Sequence, residues 1–503
     1  MSDHPCKDEC MRLIALSNHM SKVFEAPSTQ NDTSLFASWR KRADALLVDP
    51  QLESLAGEQK IDNLSLDLRR RWLQHAHLRS DGYLMSPPHK QRKLLPGDER
   101  IPYPYDRWIK PAILEKRLDD HRGPPEGWIS DTCVFANGMG AFNTFLQVYR
   151  AYGAQFWDRA KTPLSVHWFG GYFEFSRSLE LICDGRFAGR KYQHQQDLCN
   201  AVKDGQTDLI LIEPVVANVS LEVFDMEAFC TAWSLRPKGQ PAVIMIDTSM
   251  CANAFPIEQF CKKLGDNPPS LVVGFRSGLK LDQYGLELSN LGLMTLWSPE
   301  SDANQNLLRK IAKAVRLART TFGVSLSQDE CAALQAPFIL DKTALTNHSQ
   351  DVFANNKKLA LALNDVLNLD AGLFHKVNHP TLSPDEDKPW AVAPYINLRY
   401  RSDDQGDRAF LRAVIESIAF ERKLSFVSGS SFGFRSHRFE MGFVRGVKFS
   451  SLRVAMGSRA GPSLDGIIEM FKELAAFENF EALRAAYPEI DAQRPKDRLD
   501  EES

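Results

Sequence analysis

A chain of 503 residues, 43% hydrophobic and 25% charged, has an ordinary globular composition with material for a large core and about two to four domains. A net charge of -3 and a pI near 6.5 remove the electrostatic case for nucleic-acid or anionic-membrane partners. Nine cysteines without CxxC pairs or Cys/His ligand spacing argue against a zinc site or a disulfide framework, so no metal and a reducing cytoplasm are expected.

The first ten residues lack a basic segment followed by an apolar one, and no run approaches the roughly 18 apolar residues of a membrane helix. A soluble, unexported protein is expected. Helical periodicity runs through residues 10–16, 34–47 and 64–73, which reads as an N-terminal helical extension over 1–100 without strands. The basic run 90–93 reads as a solvated loop. A proline-rich passage over 86–105 is expected to be extended and irregular, because proline biases itself and its predecessor away from helix.

From about 130 to 300 the pattern alternates. Apolar strand candidates at 132–135, 164–169, 208–213, 242–247, 271–275 and 291–297 are separated by helical stretches such as 141–149, 175–182 and 226–233. That alternation predicts an α/β fold, a mostly parallel sheet with helices on both faces, within a large domain over 101–340. A basic helix is expected over 302–320. A smaller C-terminal α+β domain is expected over 341–490, with strands at 395–400, 438–443 and 451–457, then a charged tail over 491–503.

The chemistry-bearing residues sit where the apolar runs stop. Asn137-Gly138-Met139-Gly140 opens a helix, and small residues there let backbone N–H groups close around an anion. It is not GxGxxG, so a dinucleotide site is unsupported. Gly170-Gly171-Tyr172 presents a ring, Glu213-Pro214 and Asp247-Thr248 present carboxylates, and Ser277 and Lys280 are expected just past the fifth strand. Each has a bland reading as a cap, a packed ring or a turn residue. Together, on the ligand-binding edge of a parallel sheet, they supply an anion cradle, a flat ring, a carboxylate and an amine. That set suits a phosphorylated aromatic aldehyde.

The chain resembles the Cys/Met-metabolism branch of fold-type-I pyridoxal-phosphate enzymes: cystathionine synthases and lyases and methionine γ-lyase. Asn137 to Ala141 is similar to the family's Ser-Gly-Met-Ala-Ala phosphate turn, and Tyr172 to the tyrosine that stacks on the cofactor. Ile212-Glu213-Pro214 on to Asp225 resembles the Glu-Ser-Pro segment, Ile246-Asp247-Thr248 the segment that supplies the pyridine partner, and Ser277-Gly278-Leu279-Lys280 the Ser-x-Thr-Lys that carries the Schiff base. Tyr105-Asp106-Arg107 resembles the element that reaches the neighbouring subunit's phosphate. Leu452-Arg453-Val454 resembles the strand whose arginine clamps the substrate carboxylate.

The resemblance implies pyridoxal 5'-phosphate held by Gly138, Met139, Tyr172, Asp247, Ser277 and Lys280, with Tyr105 and Arg107 from a neighbour. It implies Lys280, Tyr172 and Asp247 in catalysis, Arg453 on an amino-acid substrate, and a homodimer or homotetramer. The expected reaction is γ-elimination or γ-replacement on an activated homoserine, methionine or S-adenosylmethionine-type substrate. A β-lyase on cystathionine or cysteine, an aminotransferase and a non-catalytic scaffold are the alternatives. Leu279 stands where the family has threonine, and Leu281-Asp282-Gln283-Tyr284 replaces its Gly-rich stretch. The N-terminal extension has no counterpart in the compact bacterial members.

Overall fold

The computed structural model of the chain describes residues 4–23, 34–79, 92–96, 100–102, 106–121, 123–156, 164–184, 187–367, 372–402, 404–442 and 450–492. Helices α1 (Pro5–Lys22), α2 (Ser34–Leu47) and α3 (Leu55–Arg79) come first, then a short antiparallel pair, β1 (Arg92–Leu94) and β2 (Arg100–Pro102). The proline-rich passage is thus extended where it is described, but it pairs with itself, which its composition did not signal.

After α4 (Ala112–His121) the chain alternates: β3 (Trp128–Phe135), α5 (Gly138–Phe156), β4 (Leu164–Phe169), α6 (Phe173–Ile182), β5 (Phe187–Tyr192), α7 (Gln195–Lys203) and β6 (Leu209–Ile212). It continues through α8 (Met226–Ser234), β7 (Val243–Asp247), α9 (Ile257–Lys263), β8 (Leu271–Ser277), β9 (Gly292–Pro299) and α10 (Asp302–Thr321). The seven strands form one sheet in the order β3-β9-β8-β7-β6-β4-β5. Only β9 runs against its neighbours, and every other contact from β8 to β5 is parallel. The central strands are buried along their length, as strands covered on both faces must be. Phe142, Phe145 and Val315 of α5 and α10 pack on one face, and Leu198, Phe229 and Phe260 of α7, α8 and α9 on the other.

This topology brings the ends of β3, β4, β6, β7 and β8 to one edge, together with the start of β9. Phe135 and Ser277 both pair with Gly292. Beyond α11 (Gln328–Ala333) and α12 (Lys342–Asn364) lies a second sheet built from β10 (Phe374–Asn378), β11 (Ile396–Tyr400), β12 (Phe426–Ser428), β13 (His437–Gly442) and β14 (Ser450–Ala455). Its order is β10-β11-β14-β13-β12, antiparallel except for β12 on β13. Helices α12, α13 (Gln405–Glu421) and α14 (Pro462–Ala475) contribute Leu359, Val414 and Phe471 to its core.

The N-terminal helices are not an appendage. Trp39 and Trp72 are wholly buried, in one core with Leu286, Leu326 and Phe338. The Trp72 indole N–H donates to the Ala333 carbonyl at 2.8 Å. Glu9 of α1 pairs with Arg435 at 2.5 Å, and Glu58 of α3 with Arg459 at 2.9 Å, all four side chains being buried. Two acids inside a helical face look solvated from sequence alone, because their partners lie hundreds of residues away.

Candidate active site

Two glycines and a serine make the cradle. Asn137 caps α5, its Oδ1 accepting from the Gly140 amide at 2.7 Å. A Cβ on Gly138 would lie 3.1 Å from the Ser277 Cα, and one on Gly292 would lie 2.0 Å from the Asn137 carbonyl oxygen. Only glycine at these positions lets the helix start seat itself against the ends of β8 and β9. The N-terminus of α5, with Met139 partly buried in it, thus opens beside Ser277, an arrangement that favours an anion. Ser277 is the last residue of β8 rather than beyond it, because pairing with β9 carries the strand two residues past the apolar run. Its amide donates to Ser249 Oγ at 2.9 Å.

Gly170 and Gly171 leave β4 with φ of 63° and 112°, which side-chain-bearing residues rarely adopt. They swing Tyr172 over the edge, where its amide donates to Glu213 Oε1 at 2.8 Å. The other oxygen of Glu213 accepts from the Ala217 amide at 2.8 Å. Glu213 therefore ties two edge loops together. Burial, and then the charge of Asp247, push its carboxyl up to about 8 against those two amides. The Tyr172 phenol is held protonated above its ordinary range by burial and by a nearby Glu174, to which it hydrogen bonds.

Asp247 ends β7, one strand from Ser277. Burial raises its carboxyl, opposed by hydrogen bonds from Ser249 and by the charge of Lys280. Lys280 is partly buried, and burial lowers its amine against the pull of Asp247. The Lys280 Nζ sits 4.6 Å from the centroid of Phe432, a ring carried between β12 and β13 of the second sheet. Phe432 packs on Tyr395 at 5.2 Å between centroids, and the Arg453 guanidinium lies 4.6 Å from the Tyr395 centroid. The amine and the guanidinium are thus bridged by two rings in tilted contact.

Arg453 lies on β14 between Asn397 of β11 and Glu440 of β13. Its Nη1 donates to Glu440 at 2.9 Å, and among the described residues its buried Nε has no partner. Glu440 thereby holds one nitrogen and leaves the Nε side of the fork available to a planar anion.

The unusual residues after Lys280 form a tied loop. Asp282 is buried in a forked ion pair with Arg276, Nε to Oδ2 being 2.9 Å, and Gln283 bonds the Gly278 carbonyl and both backbone groups of Ser289. Tyr284 packs on His348 and lies under the Arg12 guanidinium of α1. A side-chain lattice anchored partly in the N-terminal helices holds this loop.

The structure brings together Gly138, Met139, Tyr172, Asp247, Ser277, Lys280 and Arg453. It keeps Arg107 apart, exposed on a short 3-10 turn (Asp106–Trp108), while Tyr105 lies outside the described residues. Sequence reading missed Glu174, Tyr395, Phe432 and Glu440. Two of these flank recognised positions, Tyr395 at the start of a strand candidate and Glu174 two residues after Tyr172.

Architecture and edge geometry define the class: the seven-stranded sheet with one reversed strand, joined to a smaller mixed sheet, is fold type I. No family model matches the chain, and neither does any curated protein. Among solved structures it is similar to a methionine gamma lyase from Micromonospora echinospora, at 17% identity and a TM-score of 0.52 over 74% of this chain and 88% of that one. It is also similar to cystathionine gamma-lyase from yeast (15%, TM-score 0.50, covering 74% and 87%) and to metB from Corynebacterium glutamicum (15%, 0.51, covering 81% and 97%). Among the described residues no helix is long and apolar enough to cross a membrane.

Proposed function

We propose that this chain is a cytoplasmic pyridoxal-phosphate enzyme, working as a lyase or transferase at Cγ of an activated homoserine, methionine or S-adenosylmethionine-type amino acid. The observation that carries the reading is the convergence of Lys280, Asp247 and the α5 turn on one sheet edge, with Arg453 facing them across Tyr395 and Phe432. The residues fit the group: the close approach of Gly138 to Ser277 sets a helix N-terminus beside a serine, and a partly buried carboxylate and amine stand on neighbouring strand ends.

Bound there, the cofactor supplies an electron sink for charge developing at the substrate's Cα. The rest falls to the chain. Backbone groups of Gly138 and Met139, with Ser277, would hold the phosphate. Asp247 would hold a proton on the ring nitrogen, and Tyr172 would pack against the ring. Lys280 would hold the aldehyde and could move a proton at the substrate's Cα, since burial disfavours its ammonium form. The Nε side of Arg453 takes the substrate carboxylate, steadied by Glu440.

The purified protein is expected to take up pyridoxal phosphate with an imine absorbance band that borohydride traps, and Lys280→Ala is expected to lose the trapping. A wild-type protein that binds none of the cofactor overturns the reading in favour of a scaffold. With candidate amino acids, 2-oxobutanoate or a γ-adduct is the expected product. Pyruvate alone replaces the γ-reading with the β-lyase one, and a keto acid matching the whole substrate replaces it with aminotransfer.

A further inference from the structure

A cleft of about 630 Å³ opens on the opposite face of the sheet from the lysine site. Its floor is Ile246, Gly274 and Trp297 on β7, β8 and β9. Ile246 and Gly274 are cross-strand neighbours, and strand alternation turns Asp247 to the other face. The cleft lies between α4 and α9, beside the start of α12, and its size falls within the range of small-molecule sites.

We infer that this cleft is a second ligand site, for a small organic carboxylate with an apolar body, coupled to the turn that carries Lys280. The first observation concerns polarity. Ile246 and Trp297 are wholly buried and close the floor without offering a polar atom to the cleft. The walls are apolar, with Pro124 and Phe255, while Lys262 and Lys342 outnumber the one carboxylate on the lining, Glu258. An apolar body lies against the walls, and its carboxylate meets the lysines at the rim.

The second observation is a polar chain leaving the cleft. The Asn253 side-chain nitrogen lies 3.1 Å from His121 Nε2, both residues lining the cleft. The Asn253 oxygen accepts from Arg276 Nη1 at 3.4 Å. Arg276 in turn holds Asp282, two residues beyond Lys280, in the buried fork. A ligand that orders Asn253 therefore bears on a loop whose position is fixed by that fork. The inference does not depend on what Lys280 does.

The probe is phenylpyruvate, titrated calorimetrically into the full chain, with hydrogen exchange followed over 276–286. Saturable binding is expected, weakened about tenfold or more in Lys262→Ala/Lys342→Ala. It should be unchanged in Arg453→Ala, and exchange over 276–286 should slow on binding. The lysine pair is exposed, so its loss leaves the fold intact. Absence of saturable binding overturns the site. Binding lost in Arg453→Ala but kept in the lysine variant assigns it to the lysine-bearing edge and overturns the site as well. Binding with unaltered exchange overturns the coupling.

Discussion

Arg453 belongs to the second sheet and Lys280 follows β8 of the first, and between them lies a pair of rings, Tyr395 on Phe432. A flat guanidinium stacks on such a ring and still offers a fork, whereas an ammonium offers a single point of charge. Arg453→Lys is therefore expected to raise KM for the amino acid by roughly 10–100-fold, with a smaller change in kcat, as steady-state kinetics would show. An equal fall in kcat and kcat/KM instead would place Arg453 in the chemical step. Lys280, Asp247 and Tyr172 each have a bland reading as a turn, cap or packing residue, and only their ordered company at successive strand ends singled them out in the sequence. Phe432 and Glu440 were not legible there. An aromatic in a loop reads as packing, and an acid opposite an arginine appears only when the register of β13 on β14 is known.

The loop that carries Phe432 is held by two buried histidines. His348 Nε2 donates to the Gly433 carbonyl at 2.8 Å, and His437 Nδ1 accepts from the Gly457 amide at 3.0 Å. Burial pushes both imidazoles down from 6.5 to about 4. The unfolded chain binds these protons near pH 6.5 and the folded chain only near 4. Their contribution is thus whole above 6.5 and lost as pH falls toward 4, by up to about 1.4 kcal/mol per unit for each. Glu213, raised to about 8, acts in the opposite sense, so the histidine effect is read from a variant. His437→Asn keeps an acceptor for Gly457, and the fall in urea-unfolding free energy from pH 7 to 5 is expected to shrink relative to wild type. An unchanged fall refutes the role of His437. The same scale shows why some elements escaped the sequence. β5 buries only its two ends, and β12 has three residues, so neither carries an apolar run. The first helices were readable as helices, but not their place in the core. Glu9→Ala leaves the Arg435 charge buried alone and is expected to cost roughly 3–5 kcal/mol by denaturant unfolding, most of it recovered in Glu9→Met/Arg435→Met. A loss under 1 kcal/mol would mean that water reaches Arg435.

For the whole molecule, the exposed Arg107 lies two residues beyond Tyr105, and we propose that it reaches a neighbour's phosphate. If two copies share their sites in this way, Arg107→Ala and Lys280→Ala are each inactive. Co-refolded in equal amounts, they are expected to recover about a quarter of wild-type activity, from mixed dimers with one intact site. No recovery would make each site self-contained. The buried pairs Glu9–Arg435 and Glu58–Arg459 have a consequence for synthesis. The acids are made first and the arginines some 400 residues later, as the separation of 426 between Glu9 and Arg435 records. Until the ribosome has nearly finished, Glu9 and Glu58 are without their arginines, while the core that buries Trp39 and Trp72 ends at Leu340 and is made earlier. The N-terminal helices therefore find their apolar partners first and their charge partners last, so full resistance to proteolysis is expected only late in synthesis.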